Sequence, residues 1–313
     1  MNPRVPIRLA PVLLLIVMPG AVARSPAQGD IPDFDAARVG WSEVRMTASK
    51  LFLTAEARLS LRIVSGSSVA PDLLPIPPGV LTPLVPGAEV VELLYDASGA
   101  GRRSRLTLLM DPVSGAALQN TVHDLEGRLR LRTYRFGTEG AFQRTRSPAD
   151  ASENGLLPAR WTNTSEGLRA YPIAPGRQAV IESTGLLYAI AAAGLNKPGD
   201  TVELLVFRRR DTQLVHIEVV PAVEIDVRYD ELWPKGAVQR SGKLLPIRLT
   251  LQGVPVPGRT ADADADADEL EVLGLRGKLE LLLDPATRAP LQLSGNVKVL
   301  GGVTLRLAAV RLR

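Results

Sequence analysis

The 313-residue chain carries 37 basic and 33 acidic side chains, two histidines, no cysteine and only 4% aromatic residues. Without Cys it has no disulfide, thiol nucleophile, thiolate metal site, iron–sulfur cluster or thioether-linked haem or lipid, and two histidines exclude a three-histidine metal centre. Balanced charge with few stacking platforms also argues against nucleic acid as a partner.

At the start of the chain, Arg4 and Arg8 precede an apolar run over residues 9–18. Pro19-Gly20 breaks the run just before the small triplet Ala21-Val22-Ala23. This is the pattern of a secretory signal peptide at residues 1–23, cleaved after Ala23 or Ala27. The run is shorter than the ~20 residues a membrane span needs, and no later stretch approaches that length. Removal takes two arginines and leaves 35 basic against 33 acidic groups, a formal charge of +2. The expected product is one periplasmic β domain, residues 24–313, made of two related halves at about 40–145 and 178–313. It is not a cysteine-anchored lipoprotein, and its stability must come from burial.

Residues 47–64 place Leu51, Leu53, Ala55, Ala57, Leu59, Leu61 and Ile63 at every second position, as in a half-buried strand or a tight strand pair. Prolines 71, 75, 77, 78, 83 and 86 then forbid helix interiors and central strands, so residues 65–87 read as an extended connection. A meander follows, with strands at 89–95 and 105–110, a turn at 96–101, and a further strand at 128–136. Residues 142–182 read as a loop-rich bridge. Glu182-Ser183-Thr184 caps one short helix near 184–195, which Asn196-Lys197-Pro198-Gly199-Asp200 ends. Strands at 201–207, 214–220, 224–229 and 243–252 lead to an acidic segment at 261–268 and a last meander at 270–313. In its final strand Val303, Leu305 and Leu307 share one parity while Val310 and Leu312 have the other, which predicts a β-bulge at Ala308-Ala309.

Two stretches match each other. Residues 105–119 and 278–292 agree at eight of fifteen positions, 173 residues apart, and each runs as a leucine-alternating strand into an Asp-Pro turn and out through Ala-x-Leu-Gln. Asp bonds to the backbone ahead of it and Pro presets the φ of a type I turn. Internal duplication and convergent hairpin chemistry both fit.

The helix and its exit, Gly185-Leu186-Leu187-Tyr188 with Leu195-Asn196-Lys197-Pro198-Gly199-Asp200, are joined by Lys243-Leu244-Leu245-Pro246-Ile247, Arg288-Ala289-Pro290-Leu291-Gln292 and Gly301-Gly302-Val303. Together these residues resemble a family of exported bacterial proteins designated domain of unknown function 3108. The resemblance covers most of the mature chain. It implies an exported, predominantly β protein and supplies no catalytic residues. Ala289 departs from the Leu-Pro pair that members often carry here.

The chemistry-bearing residues mostly exclude one another. His216 and Glu218 share a strand face, as a metal or pH-sensing pair or as ordinary solvent-facing groups. His123 and Asp124 point to opposite faces. The glycines over 236–243 are spaced one residue too widely for a phosphate loop, and Leu244 stands where Ser or Thr would bind magnesium; Gly99-Ala100-Gly101 leads into a strand rather than a helix. Both read as turns. Asp262, Asp264, Asp266 and Asp268 imitate a calcium loop, but Ala267 and Leu273 stand at the glycine and bidentate-glutamate positions. Asp96, Asp230 and Glu231 lie near turns, with no separation legible for a glycosidase pair. What remains is a stripe: Arg128, Arg130 and Arg132 alternate with leucines and lead to Tyr134, a face suited to anionic lipid headgroups or acidic glycan, or simply a solvated outer face. No catalytic residue, metal ligand or cofactor is assigned.

The expected fold is mainly β, two related antiparallel meanders forming a strongly curved sheet or incomplete barrel with one short helix. The expected function is a non-catalytic envelope protein holding an apolar or amphipathic, lipid-like ligand in the sheet's concavity, which requires an unfilled cavity. The alternatives are an assembly factor for another envelope protein, with an open edge or apolar patch, and a hydrolase with clustered titratable groups in a cleft.

Overall fold

Period-two apolar patterning carries the chain into an antiparallel meander. Its strands are β1 (Trp41–Lys50), β2 (Leu53–Ser65), β3 (Glu89–Gly99), β4 (Arg102–Met110), β5 (Ala117–Asp124), β6 (Arg130–Phe136), β7 (Gly140–Ser147) and β8 (Asn163–Ala170), each paired with the next. The computed structural model describes residues 34–50, 53–99, 101–171, 178–208, 212–254, 269–298 and 300–313; the expected signal peptide at 1–23 and the aspartates of 261–268 lie outside the described residues. The pattern at 47–64 belongs to the hairpin of β1 and β2. The stretch 142–182 is not the loop-rich bridge expected, because it contains most of β7 and all of β8. Every residue of β8 is exposed, so no alternation of burial marks it in the sequence.

The second half contributes β9 (Val180–Glu182), β10 (Thr201–Phe207), β11 (Thr212–Val220), β12 (Ile225–Trp233), β13 (Gly236–Leu244), β14 (Ile247–Val254), β15 (Glu271–Val272), β16 (Leu275–Leu283), β17 (Pro290–Val297) and β18 (Gly301–Leu312). β18, β17, β16, β14, β11 and β10 pair antiparallel in that order, and β9 adds to β10 in parallel. Because β18 also pairs with β1, the two halves form one mixed 18-stranded sheet, strongly curved and not closed into a barrel. β12 and β13 form a hairpin joined to β18 through Asp230↔Ala309 and Glu231↔Val310. The glycines at 236–243, expected in a turn, thus lie in β13, a strand exposed at every residue but Leu244.

β18 carries the expected bulge: Met46 faces Leu307 and Arg45 faces Ala309, so Ala308 is the extra residue, and Leu305, Leu307 and Val310 are all buried. The strand lies between β1 and β17, joining the two halves rather than closing an outer edge.

The two Asp-Pro hairpins have the same register. Leu109 faces Gln119 and Leu282 faces Gln292, with an irregularity one step later in each. In the first turn Asp111 Oδ1 accepts from the N–H of Val113 at 3.1 Å and of Ser114 at 2.7 Å; in the second Asp284 Oδ1 accepts from Ala286 at 2.9 Å and Thr287 at 2.8 Å. Both turns then pass through a left-handed residue, Gly115 (φ 69°) and Arg288 (φ 58°).

Between these turns lies a helix whose residues are all buried. α1 (Gly66–Val69) is a single turn in the proline-rich connection; α2 (Leu186–Ala192) is the helix expected near 184–195, entered through a 3₁₀ turn at Ser183–Gly185. Leu186 to Ala192 touch no solvent because the sheet's inward leucines, among them Leu59, Leu93, Leu108, Leu249 and Leu281, surround them in one core. The Tyr188 hydroxyl donates to Pro112 O at 2.7 Å, and Arg288 donates to Leu195 O and Ala193 O at 2.8 Å each. One turn therefore holds the helix body and the other its C-terminal carbonyls. On the opposite face of the sheet a smaller cluster, Val90, Leu109 and Leu118, lies under the proline-rich connection, which buried Arg135 ties down through Leu118 O and Leu84 O.

Candidate functional site: a hollow in the curved sheet

On β1, β2 and β3 the inward positions run into alanine. On β2 Leu61 and Leu59 are followed by Ala57 and Ala55, on β1 Met46 gives way to Ala48, and on β3 Leu93 gives way to Tyr95 and Ala97. Alanine where neighbouring positions carry leucine leaves the concavity unfilled. The result is a hollow of about 1060 Å³, floored by Glu182, Ser183, Thr184 and Phe207, at the upper end of the ~300–1,000 Å³ of small-molecule sites.

The pairing registers also divide this hollow chemically. One row across the inward face reads Leu61, Leu93, Leu108, Asn120, Tyr134, Gln143 from β2 to β7, and the next reads Leu59, Tyr95, Leu106, Val122, Arg132, Thr145. Each row changes from apolar to polar as it crosses the sheet. Ala48, Ala55, Ala57, Val303 and Leu305 line one wall, and Asn120, Arg130, Arg132, Tyr134 and Gln143 the other.

On the polar wall Arg130 donates through Nε and Nη2 to Asp124 Oδ2 at 3.1 and 2.9 Å, and Arg132 reaches the same oxygen at 3.5 Å. Gln143 bridges Thr145 at 2.8 Å and Arg169 at 3.0 Å. Tyr134 packs edge-on against Phe207, ring centres 5.4 Å apart. Asn120 is 3% exposed and its Oδ1 has no hydrogen-bond partner. At the floor, burial pushes the Glu182 carboxyl above its usual range, opposed by hydrogen bonds from Thr184 N–H and Ser183 Oγ. Tyr95 is likewise raised by burial, with Glu271 adding to it.

Of the arginine stripe, Arg130, Arg132 and Tyr134 thus face inward together. Arg128 departs from the expected strand face: it lies in the turn before β6, lining a separate pocket with Glu126, Pro148 and Asn163. Parity grouped the stripe, but parity does not say which face is concave. Asn120, Glu182, Arg169 and Gln143 escaped sequence reasoning. The signal that reaches them is the Ala55-x-Ala57-x-Leu59-x-Leu61 gradient, which marks where an inward face stops being filled.

The remaining candidates stay apart. His216 faces out and meets Glu203 at 3.6 Å across the hairpin, while its neighbours Val215 and Ile217 are buried. His123 packs on Trp161, on the face opposite Asp124, and burial lowers its pKa. Asp96 pairs with Arg105 at 2.8 Å on β3, and Glu231 with Arg240 at 2.5 Å on β12. Among the described residues, no group of three or more His, Asp or Glu side chains is placed to hold a metal ion, and no helix is long and apolar enough to cross a membrane. No family model, curated protein or solved structure matches the chain.

Proposed function

We propose that this is a non-catalytic protein of the bacterial periplasm, exported by a signal peptide at residues 1–23, that holds an apolar or amphipathic ligand in the hollow of its curved sheet. The observation carrying this reading is the unfilled 1060 Å³ between an alanine-lined wall and an arginine-bearing one. A structural core alone gives no reason to stop filling an inward face halfway along several adjacent strands, since voids forfeit packing energy. The resemblance to the exported β family agrees with the compartment. The shared backbone bonding of the two Asp-Pro turns supports an origin by internal duplication. Native mass spectrometry of the protein purified from its own periplasm tests the reading. A defined adduct of lipid-like mass, released on denaturation, is expected, and bare protein in every preparation refutes it.

A second reading, an assembly factor for another envelope protein, is favoured by the β12–β13 hairpin. Among the described residues β13 pairs only with β12, and Trp233, Val238 and Leu245 are exposed there. The same spectra separate the readings, because a protein partner adds a mass far above that of a lipid.

A further inference from the structure

We infer that the wall formed by β5, β6 and β7 is the head-group subsite of this hollow, and that its ligand is an anionic amphiphile. The inference rests on the reading of the hollow as a ligand site and adds the chemistry and orientation of what it takes.

Three observations carry it. The described residues lining the hollow include seven basic and four acidic side chains, and three of the basic ones, Arg130, Arg132 and Arg169, stand on or beside the polar wall, where Asp124 pairs with the first two. An enclosed excess of positive charge favours an oxyanion, and a guanidinium fork binds phosphate or carboxylate through paired hydrogen bonds. Arg130 engages Asp124 through Nε and Nη2, which leaves Nη1 for a ligand. Asn120, 3% exposed, sits beside them with its Oδ1 closed off from solvent by its neighbours. Opposite lie Ala48, Ala55, Ala57 and Leu305, a surface for an acyl chain and unsuited to a free anion or a glycan.

The test is calorimetric titration of the full mature protein with three probes: lysophosphatidylglycerol, lysophosphatidylcholine with the same acyl chain, and glycerol phosphate without a chain. At low salt lysophosphatidylglycerol should bind about tenfold more tightly than the choline compound, a preference that shrinks as salt screens the arginines. Arg130→Gln should bring the two toward parity. Arg169→Gln, exposed on β8, is the second variant should the first fail to fold. Equal binding of the two lysolipids by the wild type overturns the head-group assignment while leaving the hollow a lipid site. No binding of either overturns both readings. Glycerol phosphate binding as tightly as the lysolipid would make this a plain anion site and refute the amphiphile.

Discussion

The turn between β4 and β5 and the turn between β16 and β17 share their backbone bonds to the leading Asp and part company at the left-handed residue. At the left-handed position the first has Gly115 and the second Arg288. The surroundings explain the choice. A Cβ on Gly115 would lie 2.8 Å from the Phe34 ring, so no side chain fits there. Arg288, in contrast, sends its guanidinium into the core to take two carbonyls at the end of α2, and accepts a conformation that costs an L-residue roughly 1 kcal/mol. One local code therefore serves close packing in one half and long reach in the other. The difference teaches that an Asp-Pro motif specifies the turn, while the left-handed residue decides how the turn joins the fold.

The largest effect is expected from Arg288→Ala. It keeps the left-handed strain, removes two buried charge-assisted hydrogen bonds and leaves the carbonyls of Ala193 and Leu195 without these donors, a loss of about 3 kcal/mol in chemical denaturation. Arg288→Gly makes the second turn resemble the first. It should be milder by about 1 kcal/mol, because glycine adopts positive φ without the Cβ penalty. Equal stability of the wild type and Arg288→Ala would break the argument that this residue anchors the helix.

Gly115→Ala tests the other side of the comparison. Positive φ and the contact with Phe34 together should cost about 2 kcal/mol, read as a shift in denaturation midpoint. A neutral result would mean that Phe34 yields freely, and that the first turn is no more constrained than an ordinary type I turn.

How far the sequence reached follows the same division between local and tertiary information. The paired Asp-Pro turns, the Glu182 cap and the bulge at Ala308 were legible because each is encoded within a few residues, by turn chemistry, capping or a slip of parity. β8 and β13 were not, because β8 is exposed along its whole length and β13 at every residue but Leu244, so neither carries an alternation of burial, and β13 contains Gly236 and Gly242. The arginine stripe was grouped correctly at Arg130, Arg132 and Tyr134, yet its inward direction follows from how β5, β6 and β7 curve around the core. Asn120 could not be singled out at all, since an unpartnered amide exists only relative to its neighbours in space.

The smallest predicted effect compares the two buried charged groups at the ends of α2. Arg288 sits at the C-terminal end with its charge met by carbonyls, whereas Glu182 at the entrance is held above its usual carboxylate range chiefly by burial, despite donors from Thr184 and Ser183. A carboxyl whose folded pKa is raised binds its proton more tightly in the folded state than in the unfolded one. Stability therefore falls as pH climbs from the ordinary glutamate value toward the raised one. Above that window the wild type bears the cost of a buried carboxylate that Glu182→Gln avoids, while the amide oxygen can still accept from Thr184. The variant should be more stable than the wild type at neutral pH, with the advantage vanishing as pH falls through the ordinary glutamate range. Denaturation midpoints across that range decide the matter: a variant less stable at neutral pH would mean that Glu182 is ionised and useful as a cap, and that the two ends of the helix are held by matched charges after all.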